Sequence, residues 1–204
     1  MSKRPIIVFE GIEGSGKTYH LNNVAKFLKK KKIKFIKIRE PGGSTNSEKI
    51  RKLIMNKKSN FDKLTDLLLY MASRNENYVN IISKNKGKKI ILIDRFVDST
   101  IAYQHYGMGI NLDIIKYLNQ LIIKKSLVDF TFLHTVSINN LKKRLKKRKI
   151  LNRYDKFNDN FYSKAQKGFI KLSNKKSNYM IVNSNKSILD NKNLIISTII
   201  KLLK

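Results

Sequence analysis

Cysteine and tryptophan are absent from this 204-residue chain, proline occurs twice and histidine three times. Without cysteine there is no disulfide, no thiolate metal site and no cysteine nucleophile. His20, His105 and His134 are scattered and not at metal-ligand spacing, which argues against a histidine-built zinc site. Long apolar runs are missing too. The run over residues 6–9 is far shorter than a signal-peptide core. No stretch approaches the roughly 20 apolar residues of a membrane span. The sequence therefore predicts a cytoplasmic protein with no membrane partner.

Acidic residues are the other scarcity. Asp and Glu number 14 against 44 Lys and Arg, a formal charge of +30. Such a balance can mark a nucleic-acid or other anionic partner. It can equally record codon usage. Phe, Tyr, Met, Ile, Asn and Lys, whose codons are rich in A and T, make up 110 of the 204 residues, so lysine rises in company with uncharged residues. On that reading no specific nucleic acid is implied, and non-specific binding would be weak and lost near physiological salt. Only eight of the 44 cations are arginine. Lysine cannot replace a bidentate guanidinium on a phosphate, so the arginines are the cations to follow.

What is present suits a single domain over residues 1–204. Hydrophobic residues reach 41%, too many for a disordered chain. Apolar runs at 6–9, 35–38, 90–93, 130–133 and 179–182 read as strands. Helical patterns lie between them at 18–30, 46–56, 65–84, 98–106, 112–125, 137–149 and 159–174. A last helix puts Leu189, Ile195, Ile196, Ile199 and Leu203 near one stripe. This alternation predicts an α/β fold: a five-stranded parallel sheet with helices on both sides.

The strongest motif directly follows the first strand. Gly11-Ile12-Glu13-Gly14-Ser15-Gly16-Lys17-Thr18 satisfies G-x-x-x-x-G-K-[ST]. Its glycines let successive N–H groups face phosphate oxygens, and the next helix points its positive end there. Lys17 would reach the terminal phosphates and Thr18 would ligate Mg²⁺. This predicts binding of a nucleoside triphosphate, in a GTPase-like switch or in a kinase of a small molecule. Three further segments have a plain packing reading and a functional one. Arg39-Glu40-Pro41-Gly42-Gly43-Ser44, followed by Glu48 and Arg51, opens a loop at the carboxyl end of strand two, or is an ordinary turn. Asp94-Arg95-Phe96 closes strand three, with Asp94 in the position of a second metal-site residue. Thr100, Tyr103 and Gln104 share the next helix face, where Gln104 could read a base edge. Tyr70 and Arg74, four apart, could sandwich a flat base, or be a core tyrosine and a surface arginine.

Together these segments resemble the thymidylate kinase family in its bacterial form. The match runs through residues 9–18, 39–43, 72–74, 94–96, Ser99 and 102–104, in order and at matching separations. The resemblance implies a P-loop nucleoside monophosphate kinase fold with strand order 2-3-1-4-5 and a lid near residues 147–157. It implies transfer of a phosphoryl group from ATP to dTMP, with Mg²⁺, and a homodimer. By analogy Arg95 and Arg51 would hold the dTMP phosphate, while Arg74, Gln104 and Thr100 would read the thymine edge. Tyr70 would stack on the thymine face, and Tyr103 would lie under the deoxyribose. Glu13 would bind the 3′-hydroxyl or help orient the metal–phosphate array. Glu40 would bind metal-associated water or steady the arginines. Another deoxynucleotide or a nucleoside is the alternative acceptor.

The P-loop carries no arginine, so the transition-state cation must come from elsewhere. Arg148 and Arg153 in the lid are the candidates, and Arg153→Ala is expected to lower kcat by a factor on the order of 10³. This chain departs from the family in three places: His134-Thr135-Val136 where Leu-Asp-Val is common, Asn152-Arg153 where Asp-Arg is common, and Ala165-Gln166-Lys167-Gly168-Phe169 where Val-Arg-x-Gly-Tyr is common.

Overall fold

The computed structural model describes residues 4–123, 127–148, 153–174 and 176–203. Five parallel strands run in the order β2-β3-β1-β4-β5. They are β1 (Ile6–Glu10), β2 (Phe35–Arg39), β3 (Ile90–Asp94), β4 (Phe130–Thr135) and β5 (Tyr179–Asn183). β1 is buried throughout and β3 through Ile93, as interior strands of a sheet covered on both faces should be. The edge strands β2 and β5 are partly open. Side chains alternate across the sheet. Ile7, Phe9, Leu92 and Phe132 join one core with α1 (Lys17–Lys30) and α9 (Ile188–Leu202). Ile6, Val8, Ile91 and Ile93 point to the opposite face and meet Ile38, Ile82, Phe96 and Leu127. Each such side chain contributes about 1.5–3 kcal/mol on burial, so the two-faced strands dominate the stability of the sheet.

The remaining helices are α2 (Thr45–Met55), α3 (Lys63–Asn77), α4 (Ser83–Asn85), α5 (Val97–Thr100), α6 (Leu112–Ile122), α7 (Ile138–Lys146) and α8 (Asp159–Ser173). Two of the expected helices are not uniform. The stretch expected as one helix over 65–84 contains a π-helical turn at Tyr78–Ile82. The one over 98–106 is a single α turn continued by a π-helical segment, Ile101–Gly107. Such widened turns admit one more residue per turn and occur often at functional sites. Gly168 of α8 lets this segment approach closely, because a Cβ there would stand 2.4 Å from Cδ2 of Tyr106. In α9, Ile195 and Ile199 are buried as expected, but Leu189 is 61% exposed. Asn191, half a turn away, is the buried residue of that turn and donates to the Asn183 carbonyl at 2.9 Å. Asn152 and the middle of the expected lid lie outside the described residues. Among the described residues no helix is long and apolar enough to cross a membrane.

Candidate active site

The carboxyl ends of β1, β2 and β3 open into a cleft of about 430 Å³. The P-loop forms one wall. Gly11 must be glycine: its φ is +134°, and a Cβ would stand 2.1 Å from the His134 carbonyl oxygen at the end of β4. Gly16 starts α1 without a side-chain cap, which leaves the first-turn N–H groups free of any side-chain acceptor. Lys17 is buried and folds back on the loop, donating to the Ile12 carbonyl at 2.7 Å and to Ser15 Oγ at 3.3 Å. Burial first, then the nearby Arg95, lowers its ammonium to a pKa of about 7. Glu13, Gly14, Gly16, Lys17 and Thr18 line the cleft, and Gly11, Ile12 and Ser15 do not.

Thr18 Oγ1 donates to Asp94 Oδ2 at 2.5 Å. A hydroxyl and a carboxylate brought together at the mouth of a phosphate loop are hard oxygen donors of the kind Mg²⁺ takes, with its other positions left to phosphate and water. The two residues therefore fit the metal.

Arg95 follows Asp94 with φ +68°. A left-handed conformation costs a non-glycine residue roughly 1–2 kcal/mol and must be held in place. Arg95 Nη1 donates to the Gly11 carbonyl at 2.9 Å and Nη2 to Glu13 Oε1 at 2.7 Å. The guanidinium also lies over the Tyr103 ring, whose hydroxyl donates to the second oxygen of Glu13. Burial alone would lower the Arg95 guanidinium, but Glu13, Tyr103 and Asp94 outweigh it and raise its pKa well above the usual value. Glu13 thus bridges Arg95 and Tyr103 from within the P-loop.

Arg74 is 1% exposed and held on three sides. Nε donates to Glu40 at 2.8 Å, Nη1 to Asn119 at 2.6 Å and Nη2 to Thr100 Oγ1 at 2.9 Å. Glu40 therefore steadies an arginine. Gln104 is equally buried, and its amide Nε2 has no hydrogen-bond partner although the residue lines the cleft. Arg51 reaches the same wall and donates to the Pro41 carbonyl at 2.7 Å. Tyr70, Thr100 and Tyr103 complete this side. The fold thus brings an amide-and-ammonium cradle, three guanidinium groups and an unsatisfied amide to the lining of one cleft.

The thymidylate kinase family model matches residues 9–195. The chain belongs to the thymidylate kinase family. It is 37% identical over 203 residues to a thymidylate kinase of Mycoplasma capricolum subsp. capricolum, covering 97% of this chain and 95% of that one. It is 35% identical to a thymidylate kinase of Sulfurihydrogenibium sp., covering 95% of each. The crystal structure of thymidylate kinase from Ehrlichia chaffeensis superposes with a TM-score of 0.78 at 32% identity, over 96% of this chain and 98% of that one. The chain is accordingly a P-loop kinase that phosphorylates dTMP to dTDP.

For a thymidylate kinase the lid arginines are the next question, and the structure separates them. Arg148 lines the cleft and pairs with Asp155 at 2.5 Å. Arg153 does not line it. Its guanidinium pairs with the buried Asp66 of α3 and lies over Phe61 and Tyr154. Arg148 is thus placed at the cleft, and Arg153 at Asp66, which also accepts from the Tyr154 hydroxyl at 2.5 Å.

Several residues of this kinase site escape sequence reasoning. Arg144 donates to the Gly14 carbonyl and to the Ser184 carbonyl, each at 2.7 Å, clamping the P-loop to the turn after β5. Its signal was present, a rare arginine inside the lysine-rich run 142–149. Asn119 and Asp66 gave none. Glu10 is a buried carboxylate whose pKa burial and Asp98 raise to about 7, against hydrogen bonds from Ser99 and the Phe96 N–H.

Proposed function

We propose that the two walls of the cleft hold ATP and dTMP nose to nose for direct transfer of the γ-phosphoryl group, giving ADP and dTDP. The carrying observation is that the Lys17 loop and Arg95 line one cavity together, cationic groups for two anionic tails brought within reach of each other. The P-loop amides and Lys17 bind the donor phosphates. Arg95 and Arg51 bind the acceptor phosphate and bring its oxygen in line with the donor. Arg74, with Thr100 and the free amide of Gln104, reads the thymine edge, and Tyr70 covers its face. Tyr103 lies under the deoxyribose, and Glu13 takes the 3′-hydroxyl or orients the phosphate array. Because Arg74 is already locked by Glu40 and Asn119, little ordering is left to be done when the base arrives. Arg148 supplies the cation for the transferring oxygens, and Arg153 anchors the lid to α3. Mg²⁺ on Thr18 and Asp94 would neutralise charge on the donor phosphates. Catalysis of this kind is chiefly positioning and electrostatic stabilisation.

We further propose that residues 1–204 form one kinase domain that works in the cytoplasm as a homodimer. Ile114, Tyr117 and Leu121 of α6 share one stripe, and Leu64 and Leu68 lie one turn apart on the adjacent α3, all exposed. A coupled ADP-release assay with dTMP, dUMP and dCMP tests the reaction. The expected result is the highest kcat/KM for dTMP. A chain that prefers dUMP or dCMP would be a kinase of another deoxynucleotide.

A further inference from the structure

Glu10 ends β1 and is 1% exposed, yet it does not line the substrate cleft. A carboxylate buried this deeply is costly unless its oxygens are occupied. Both oxygens are. Oε1 accepts from the backbone N–H of Phe96 at 2.8 Å and of Ser99 at 3.2 Å, and Oε2 accepts from the Ser99 hydroxyl at 2.5 Å. All three donors lie in the short segment that begins with Asp94 and Arg95. The backbone N–H of Arg95 donates to the Phe9 carbonyl at 3.0 Å. The segment is therefore pinned to two adjacent residues of β1, by a carbonyl at Arg95 and by a carboxylate just after it. Between the pins lies the left-handed turn at Arg95, which no glycine relieves. That turn sends the guanidinium back over the P-loop to Gly11 and Glu13.

We propose that Glu10 is a positioning residue of the acceptor site. By holding Phe96 and Ser99 it preserves the turn that aims Arg95 at the acceptor phosphate. The proposal rests on the assignment of Arg95 to that phosphate. A merely structural carboxylate would lower stability and affect both substrates alike. A carboxylate acting through Arg95 affects the acceptor side, and only while Arg95 is present.

The test uses the full chain with Glu10→Gln, Glu10→Asp, Arg95→Ala and Glu10→Asp combined with Arg95→Ala, assayed well below each variant's unfolding temperature. Glutamine keeps the reach, one oxygen for both N–H groups and an amide that can donate to Ser99. It should hold kcat/KM for dTMP within about threefold of the parent. Aspartate keeps the charge but withdraws it by one methylene. It should lower kcat/KM for dTMP by between about 10-fold and 10²-fold, with KM for ATP changed less than about threefold. On the Arg95→Ala background Glu10→Asp should cost nothing more, since residues acting in series are not additive. Additive losses, equal losses for ATP and dTMP, failure of glutamine to preserve activity, or an aspartate variant with parental kcat/KM would each overturn the proposal. An Arg95→Ala enzyme with unchanged kcat/KM for dTMP would instead overturn the acceptor assignment on which it rests.

Discussion

Lys17 carries an ammonium that the fold makes costly. Burial and Arg95 bring its pKa down to about 7, against Asp94, Glu13 and Glu10. Its Nζ donates to the loop's own Ile12 carbonyl and Ser15 hydroxyl. A bound triphosphate puts negative charge beside it and favours the protonated form. The sign of the pH dependence follows. Well below pH 7 the free enzyme's Lys17 is already charged and binding recruits no proton to it. Above pH 7 the free amine is mostly neutral and must take up a proton. ATP affinity should weaken as pH rises above 7, by up to about tenfold per pH unit, with uptake approaching one proton near pH 8. Titration calorimetry in buffers of different ionisation enthalpy measures that uptake, and Lys17→Met should abolish it.

At the scale of elements, the lid shows why two residues that look equivalent in sequence diverge. Arg148 and Arg153 are both arginines in the same basic stretch. Each pairs with a buried carboxylate, Arg148 with Asp155 and Arg153 with Asp66, 87 residues earlier, and of the two Arg148 lines the cleft. Arg148→Ala should lower kcat on the order of 10³-fold with little change in dTMP affinity, as single-turnover phosphoryl transfer would show. Arg153→Ala should lower kcat much less and unfold at lower urea, with a loss of about 3 kcal/mol, because Asp66 is left buried with one partner fewer. A thousandfold kcat loss in Arg153→Ala alone would restore it as the transition-state cation. The strands and most helix limits were legible because they rest on local apolar periodicity. The π-helical segment Ile101–Gly107 was not, since the close approaches that accompany it, Phe161 against Gly107 and Tyr106 against Gly168, join residues far apart in the chain.

For the whole molecule, a charge of +30 would keep copies apart unless an apolar face outweighs it. The exposed stripe of α6, with Leu64 and Leu68 of α3, is the face proposed for that role. Sedimentation should give twice the 23.8 kDa chain mass, and Tyr117→Glu with Leu121→Glu should give one. That pair of substitutions should leave thermal unfolding cooperative, because both side chains are more than half exposed in the single chain.

The amino-acid sequence by itself determined the P-loop, the order of strands and helices, the family, and the set of arginines and carboxylates available for chemistry. Each of these is written in contiguous residues or in a period of two or 3.6. Only the tertiary structure decided what each charged group meets. Arg95 meets Glu13 across 82 residues, Arg74 meets Asn119 across 45, Phe96 meets Glu10 across 86, and Arg144 meets Gly14 across 130. Pairings at such separations depend on how the parallel crossovers stack strand ends. A side chain's neighbours in the folded chain, rather than its neighbours in sequence, set whether it grips a substrate or holds another residue that does.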